Sequence, residues 1–469
     1  MPKRLIPLSG LDAGFLYLEA AGTPMHVGSL MLIEPPKRRN YDFHDALLAH
    51  VAQRLPRAPA LRRVLHEAPL DIGHPLWSEA ETLDLRRHLR RRRLPGRGTR
   101  QCLMRLVGRL HAESLPRDEP LWRFVVIDNV EGGLVALYSK VHHALLDGQG
   151  GIALAQALLD IEPSPARRKT SKPPSKTANE RVRRRDLAST AGRASLGQFA
   201  KLLRAVPATF KLAGSLGQAA RLAGSLRENL LLAPRTPWNR QIGPGRGFAA
   251  MSLPLEDCKR MARTAGVSLN DIVLAVCAGA VRELLSNSGQ LPRKPLVAAM
   301  PVSLRESGNQ DVNNQVSMVQ CSLATDVADP LQRLRAIHAS TAQIKQRVAS
   351  VKDLIPTDFP GLAAPLWATG LSRLWRRGRI AERLPPLANI AISNVPGPPM
   401  DLYLAGARLR HYYPVSIVTH GLALNITVQS YAGSLEFGLT TCSDAIERPE
   451  RLANAIAASA RQLSEALSA

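Results

Sequence analysis

One stretch of the chain holds residue types able to move a proton: Lys140-Val141-His142-His143-Ala144-Leu145-Leu146-Asp147-Gly148. Histidine titrates nearest neutrality, so it suits general acid–base work. Asp147, a carboxylate four residues on from His143, could orient an imidazole or anchor the loop. Gly148 opens backbone conformations that other residues resist. Two plainer readings stand beside this one. His142 and His143 could be ordinary buried histidines at a strand end. They could also hold zinc, but neighbours on a strand face opposite ways, and no cysteine or third histidine is near. No Gly-x-Ser-x-Gly elbow offers a serine nucleophile instead.

The elements around this stretch must position it. Leu134 to Val141 reads as a buried strand running into the histidines, and Trp122 to Asp128 as its neighbour across the turn Glu131-Gly132-Gly133. Gly150-Gly151 leads into an apolar helix, Ile152 to Leu159. Upstream, Met25 to Ile33 is strand-like and Phe43 to Val64 has helical spacing. Arg86 to Arg93 reads as a solvated charged segment. Downstream, Ser268-Leu269-Asn270-Asp271 resembles a capping box ahead of a helix from Ile272 to Leu285. Leu296 to Leu304 reads as a strand, Pro330 to Val348 as a helix, Asn425 to Val428 with Ser434 to Leu439 as a hairpin, and Glu450 to Leu467 as a closing helix. Strands and helices alternate, so the class is α/β or α+β.

Three regions follow: residues 1–162, a linker 163–247, and 248–469. The linker is basic, with eighteen Lys/Arg against three Asp/Glu between Arg167 and Arg246. Within it Leu196, Phe199, Leu202, Leu203, Val206 and Phe210 recur at three- and four-residue steps, an amphipathic helix that Pro207 should kink.

Composition narrows the function. Hydrophobic residues are 45% and charged residues 21% of the 469, which excludes a mostly disordered or collagen-like chain. The 62 Lys/Arg against 38 Asp/Glu give +24, a balance suited to an anionic partner: nucleic acid, an anionic membrane face or a phosphorylated cofactor. Aromatics at 4% are poor material for base stacking, so no nucleic acid is expected. The five cysteines are too scattered for a disulfide framework or zinc spacing, so no metal is expected and a reducing cytosol fits. Asp12 and Glu19 interrupt any signal-peptide core. The longest apolar run, Ile272 to Val281, is half the roughly 20 residues of a membrane span, so a soluble or peripheral protein is expected.

The His-His-x-x-x-Asp-Gly pattern at 142–148 resembles the motif of the bacterial wax ester synthase/diacylglycerol acyltransferase family. The looser His-x-x-x-Asp-Gly form is shared with CoA-dependent acyltransferases and peptide-synthetase condensation domains. Further blocks are similar to those of the narrower family, in its order: Pro24-Met25-His26-Val27-Gly28, Pro120-Leu121-Trp122, Asn270-Asp271, Pro301 to Arg305, Asn394 to Pro398, and Leu424 to Thr427. The resemblance implies two similar α/β domains with mixed sheets, a long linker and an active-site channel between the domains. It implies O-acyl transfer from acyl-CoA, as substrate, to a fatty alcohol or diacylglycerol, with no permanently bound cofactor. It makes His143 the base and His142 a supporting residue. Asn270 becomes a candidate oxyanion donor and Asp271 a capping residue. Asp147 would be structural, paired with Arg305, and Gly148 would shape the loop. The CoA-binding residues are not assigned. The basic linker would rest on an anionic membrane or lipid-droplet surface, giving a cytoplasmic protein peripherally attached to the inner membrane or to lipid inclusions. The alternatives are a condensation-type enzyme using carrier-protein thioesters, a non-catalytic lipid-droplet protein and a nucleic-acid binder.

Overall fold

A computed structural model of the chain describes residues 5–20, 22–69, 73–146, 148–163, 186–187, 189–190, 232–303, 316–351 and 385–469. Asp147, Arg305 and the amphipathic stretch 196–210 lie outside the described residues. In the first half the strands are β1 (Ile6–Pro7), β2 (His26–Glu34), β3 (Arg63–His66), β4 (Leu76–Glu79), β5 (Leu89–Arg93), β6 (Trp122–Val130) and β7 (Leu134–His142). The helices there are α1 (Gly10–Leu18), α2 (Phe43–Arg54), α3 (Leu85–His88), α4 (Arg100–Ala112) and α5 (Gly148–Leu158). The second half adds β8 (Arg246–Pro254), β9 (Val297–Ser303), β10 (Val316–Ser322), β11 (Ile390–Val395), β12 (Tyr403–Leu404), β13 (Ala407–Val415), β14 (Leu424–Tyr431) and β15 (Ser434–Cys442). Its helices are α6 (Leu255–Ala265), α7 (Leu269–Asn287), α8 (Pro330–Val351) and α9 (Pro449–Ser468).

Two six-stranded mixed sheets result, in the orders β12-β13-β2-β7-β6-β5 and β10-β9-β11-β14-β15-β8, with a small sheet β1-β4-β3 beside them. The class is the mixed α/β that the alternation predicts. Each half builds a core: Leu137, Val141, Trp122 and Phe124 pack under α2 and α5 in the first, and α7 is buried along its length in the second. The halves are stitched together. β13 comes from the C-terminal region yet pairs antiparallel with β2, Tyr413 opposite Leu30. Backbones touch where it passes the second sheet: a Cβ on Gly438 would lie 1.7 Å from the Pro414 carbonyl oxygen, so only glycine fits.

Two expectations are corrected. The helix read over Phe43 to Val64 stops at Arg54, because Pro56 and Pro59 cannot donate the amides a continuing helix needs; two 3-10 turns and β3 follow. The arginine run is not merely solvated. Leu89–Arg93 is an edge strand parallel to β6, with Arg90 to Arg93 exposed and Arg91 paired to Asp42 at 2.8 Å and to Asp128 at 2.6 Å. Charges on an edge strand keep it from recruiting another chain. No single described helix is long and apolar enough to cross a membrane.

Candidate active site

β7 is a central strand, so side chains on both of its faces are buried. Leu137, Ser139 and Val141 face α5, with Met31 and Val27 beside them on β2. Ala136, Tyr138, Lys140 and His142 point to the other face, toward α4. Alternation along an extended chain would send the two motif histidines to opposite sides, but the chain leaves the strand between them. β7 ends at His142, and residues His143–Leu145 form a single 3-10 turn.

His142 is locked. It is only 1% exposed, and its Nδ1 accepts the Ala144 amide at 3.1 Å. Its proton therefore sits on Nε2, which faces Glu19 Oε1 at 3.4 Å. Its own amide donates to the Leu121 carbonyl at 2.9 Å. That carbonyl belongs to Pro120-Leu121-Trp122, whose Trp122 is fully buried and donates its indole N–H to Leu61 O at 2.8 Å. This block is thus a packing element that also sets the backbone of His142.

Behind His142 lies a buried polar cluster. His26, directly across β2 from His142, also faces Glu19 Oε1, at 3.3 Å. Glu19 ends α1 and is held from outside by Arg117 at 3.1 Å. Burial pushes the Glu19 carboxyl up, but the two histidine N–H groups outweigh it and hold it well below the usual range. Burial pushes His26 down to about 4 and keeps His111, bonded to Tyr138 and to the Ser416 carbonyl, well below its ordinary value. Lys140 Nζ, brought down to about 8 chiefly by burial, donates to the carbonyls of Leu110 and Glu113 at 2.6 Å each, closing the end of α4.

His143 is different. Its ring stacks on Phe15 of α1, centroids 3.8 Å apart and 18° from parallel. Its Nδ1 is buried without a hydrogen-bond partner among the described residues. Burial pushes its pKa down to about 4, and His142 adds to that, against the pull of its own backbone carbonyl. The ring is therefore neutral at neutral pH, the form a base needs. Its backbone is fixed by a 2.8 Å bond from its amide to Met25 O. Against the Leu137, Ser139 and Val141 face of β7 a cavity of about 180 Å³ is lined mostly by apolar groups, among them Met31, Leu137, Val141, Leu146, Leu154 and Leu158, with Ser29, Ser139, Tyr412 and Gln429 as polar points. Val141 and Leu146, on either side of the histidine turn, reach it, and His143 itself does not line it. Gly28 on its wall has no room for a side chain, since a Cβ would lie 1.9 Å from Ser139 O.

Asn270 and Asp271 open α7 in the second half. Asn270 Oδ1 accepts from Asn394 Nδ2 at 3.4 Å. Asp271 is fully buried in a capping box with Ser268, and its carboxylate also accepts from Thr341 at 2.7 Å and faces His338 at 2.8 Å. No hydrogen bond, ion pair or ring contact among the described residues links Asn270 to His143. Gly148 is the first residue of α5. Glu19, Phe15 and Lys140 were not singled out from sequence. The family block 24–28 pointed at His26, but nothing in the spacing of Glu19 marks it as buried.

Residues 8–273 match the wax ester synthase/diacylglycerol acyltransferase catalytic domain, and residues 312–464 match the C-terminal domain of the same family. A putative diacylglycerol O-acyltransferase of Mycobacterium tuberculosis is 38% identical over 466 residues, spanning 98% of this chain and 100% of that one. A probable diacylglycerol O-acyltransferase of the same organism is 35% identical, spanning 97% and 98%. The solved wax ester synthase/diacylglycerol acyltransferase of Marinobacter aquaeolei VT8 superposes with a TM-score of 0.70 at 30% identity, covering 99% and 100%. A condensation domain of the calcium-dependent antibiotic synthetase, 16% identical with a TM-score of 0.55 over 99% and 96%, shares the fold. With both domains matched in order and relatives aligned end to end, the chain belongs to the wax ester synthase/diacylglycerol acyltransferase family of acyltransferases.

Proposed function

We propose that His143 is the general base of an acyl transfer from acyl-CoA to the hydroxyl of a fatty alcohol or diacylglycerol, giving wax ester or triacylglycerol. One observation carries the assignment: of the two motif histidines, His142 is held between Glu19 and the Ala144 amide, whereas the ring of His143 stacks on Phe15 and is kept neutral by its burial. In the reaction the alcohol gives its proton to His143 as its oxygen bonds to the thioester carbon. The carbonyl becomes an oxyanion, for which the Asn270 amide is the candidate donor. The C–S bond then breaks, and the CoA thiolate takes the proton back from His143. The acyl group arrives already activated, so the step balances without a resident cofactor. The apolar cavity against β7, lined by Val141 and Leu146, suits a stretch of aliphatic chain.

The basic linker supports a further reading: the enzyme works in the cytoplasm, attached peripherally to an anionic membrane or lipid-inclusion surface that holds its water-insoluble substrates. Flotation of the full chain with anionic vesicles should weaken when Arg204 and Lys211 become Gln. Flotation that ignores both charge and salt sinks this reading.

The base assignment is tested by CoA release from palmitoyl-CoA with hexadecanol or diolein. His143→Ala should cost on the order of 10²–10⁴ in rate with acyl-CoA affinity retained, and His142→Ala should cost less. Normal turnover by His143→Ala overturns it.

A further inference from the structure

We propose that Glu19 is a positioning residue for this reaction: it fixes the tautomer of His142 and, through it, the turn that presents His143. The inference rests on His143 being the base.

Two amides hold the His143 turn, and both lines of contact lead to one carboxylate oxygen. The first runs from the Ala144 amide to His142 Nδ1 at 3.1 Å, then from His142 Nε2 to Glu19 Oε1 at 3.4 Å. The second runs from the His143 amide to Met25 O at 2.8 Å, then from the Met25 amide to Glu19 Oε1 at 3.3 Å. The same oxygen faces His26 Nε2 at 3.3 Å. The other oxygen accepts from Arg117, whose guanidinium also holds the Leu16 carbonyl of α1. α1 therefore touches both motif histidines, Phe15 on the ring of His143 and Glu19 on that of His142.

Chemistry decides what the carboxylate does there. A neutral imidazole has one N–H, and its position is set by whatever the ring faces. An anion beside Nε2 draws the proton there and leaves Nδ1 bare, the state that can accept the Ala144 amide. Without the anion the proton can move to Nδ1, where it confronts that amide donor to donor, and the turn loses its cap. The desolvated carboxylate stays ionised because two imidazole N–H groups and Arg117 surround it. A turn that swings by about 1 Å can cost on the order of 10²-fold in rate.

The test uses the full chain carrying Glu19→Gln, which keeps size and removes charge. Turnover with palmitoyl-CoA and hexadecanol should fall on the order of 10²-fold in kcat, with KM for acyl-CoA unchanged. Nitrogen NMR of histidine-labelled protein, with His142 assigned by its loss in His142→Asn, should show a bare Nδ1 and protonated Nε2 in the wild type. That pattern should be lost in Glu19→Gln. Glu19→Asp keeps the charge at shorter reach and should recover part of the rate. A wild-type kcat in Glu19→Gln overturns the proposal, as does a reduced kcat with the His142 tautomer unchanged. If Glu19→Gln does not fold, Glu19→Asp carries the test, and wild-type values for either kcat or the His142 signals overturn the proposal. Failure of the base assignment itself reads out separately, as normal turnover by His143→Ala.

Discussion

The two halves each place motif residues at the end of a regular element, and they treat them in opposite ways. At the start of α7, the Asp271 carboxylate is fully used: it accepts from the Ser268 amide at 3.0 Å and from Thr341 at 2.7 Å, and faces His338 at 2.8 Å. Burial pushes its pKa up, but these partners together pull it below its ordinary value. A carboxylate so occupied and fully buried caps a helix and is out of a substrate's reach. At the end of β7 the buried Nδ1 of His143 has no partner among the described residues. Buried polar groups in proteins are nearly always satisfied, so the saturated Asp271 marks architecture, while the ring of His143, stacked on Phe15 and kept neutral by burial, is the one proposed to do chemistry. Asn270 stands between these cases. Its carbonyl oxygen is taken by Asn394, which aims its amide N–H₂ elsewhere and leaves it to donate.

The largest effect expected in the second half is therefore at Asn270. Asn270→Ala should lower kcat by about 10²–10³-fold, the range for losing one oxyanion donor, with thermal stability and acyl-CoA affinity kept. An unchanged kcat would confine the chemistry to the first half.

Asp271→Ala should do the reverse. It removes the carboxylate half of the capping box, leaving the Ser268 amide without its acceptor and Thr341 with only the His338 carbonyl, a cost of about 2 kcal/mol in unfolding free energy. Turnover per folded molecule should hold. A large kcat loss in Asp271→Ala at wild-type melting temperature would give Asp271 a direct part in the reaction.

A smaller structural effect is expected behind the first site. Trp122→Phe keeps most of the buried ring but strands the Leu61 carbonyl, which should cost about 1–2 kcal/mol by urea unfolding. Because Leu121 O holds the His142 amide, kcat should fall slightly as well. A loss of rate without loss of stability would give the Pro120-Leu121-Trp122 block a direct role in the reaction.

Much of this was legible in the residues. Apolar runs and alternation marked β2, β6, β7, β14 and β15, and Ser268 to Asp271 spelled out a helix start because capping is local. The histidine pair and its alternation also said that only one ring could face a given side. What stayed hidden depends on distant partners. β13 carries Arg408, Arg410 and His411 among its apolar residues and reads as no clean strand, because its value is in pairing with β2 far back in the chain. β5 is mostly arginine and is a strand only because β6 offers an edge. Glu19 reads as a polar interruption of an apolar stretch. Its burial makes sense only once His26, His142 and Arg117 arrive from three other segments.

The mildest expectation concerns pH and needs no mutation. A base works in its neutral form, so rate is lost as pH falls through the pKa of the free enzyme's base. An unperturbed histidine would give that loss near 6.5. Burial has pushed His143 down to about 4, so kcat/KM should stay level from neutral pH to about 5 and decline below it. Stability behaves differently. His26, His111 and His143 are all held neutral in the folded chain and would bind protons more readily when unfolded. Their folded values are depressed, so their contribution is complete above about 6.5 and drains away as pH falls from there toward 4. The melting temperature should therefore begin to drop before the rate does. A rate that already halves near pH 6.5, while the melting temperature holds, would mean that the base is an ordinary, solvated imidazole and that the buried stack on Phe15 is not its working state.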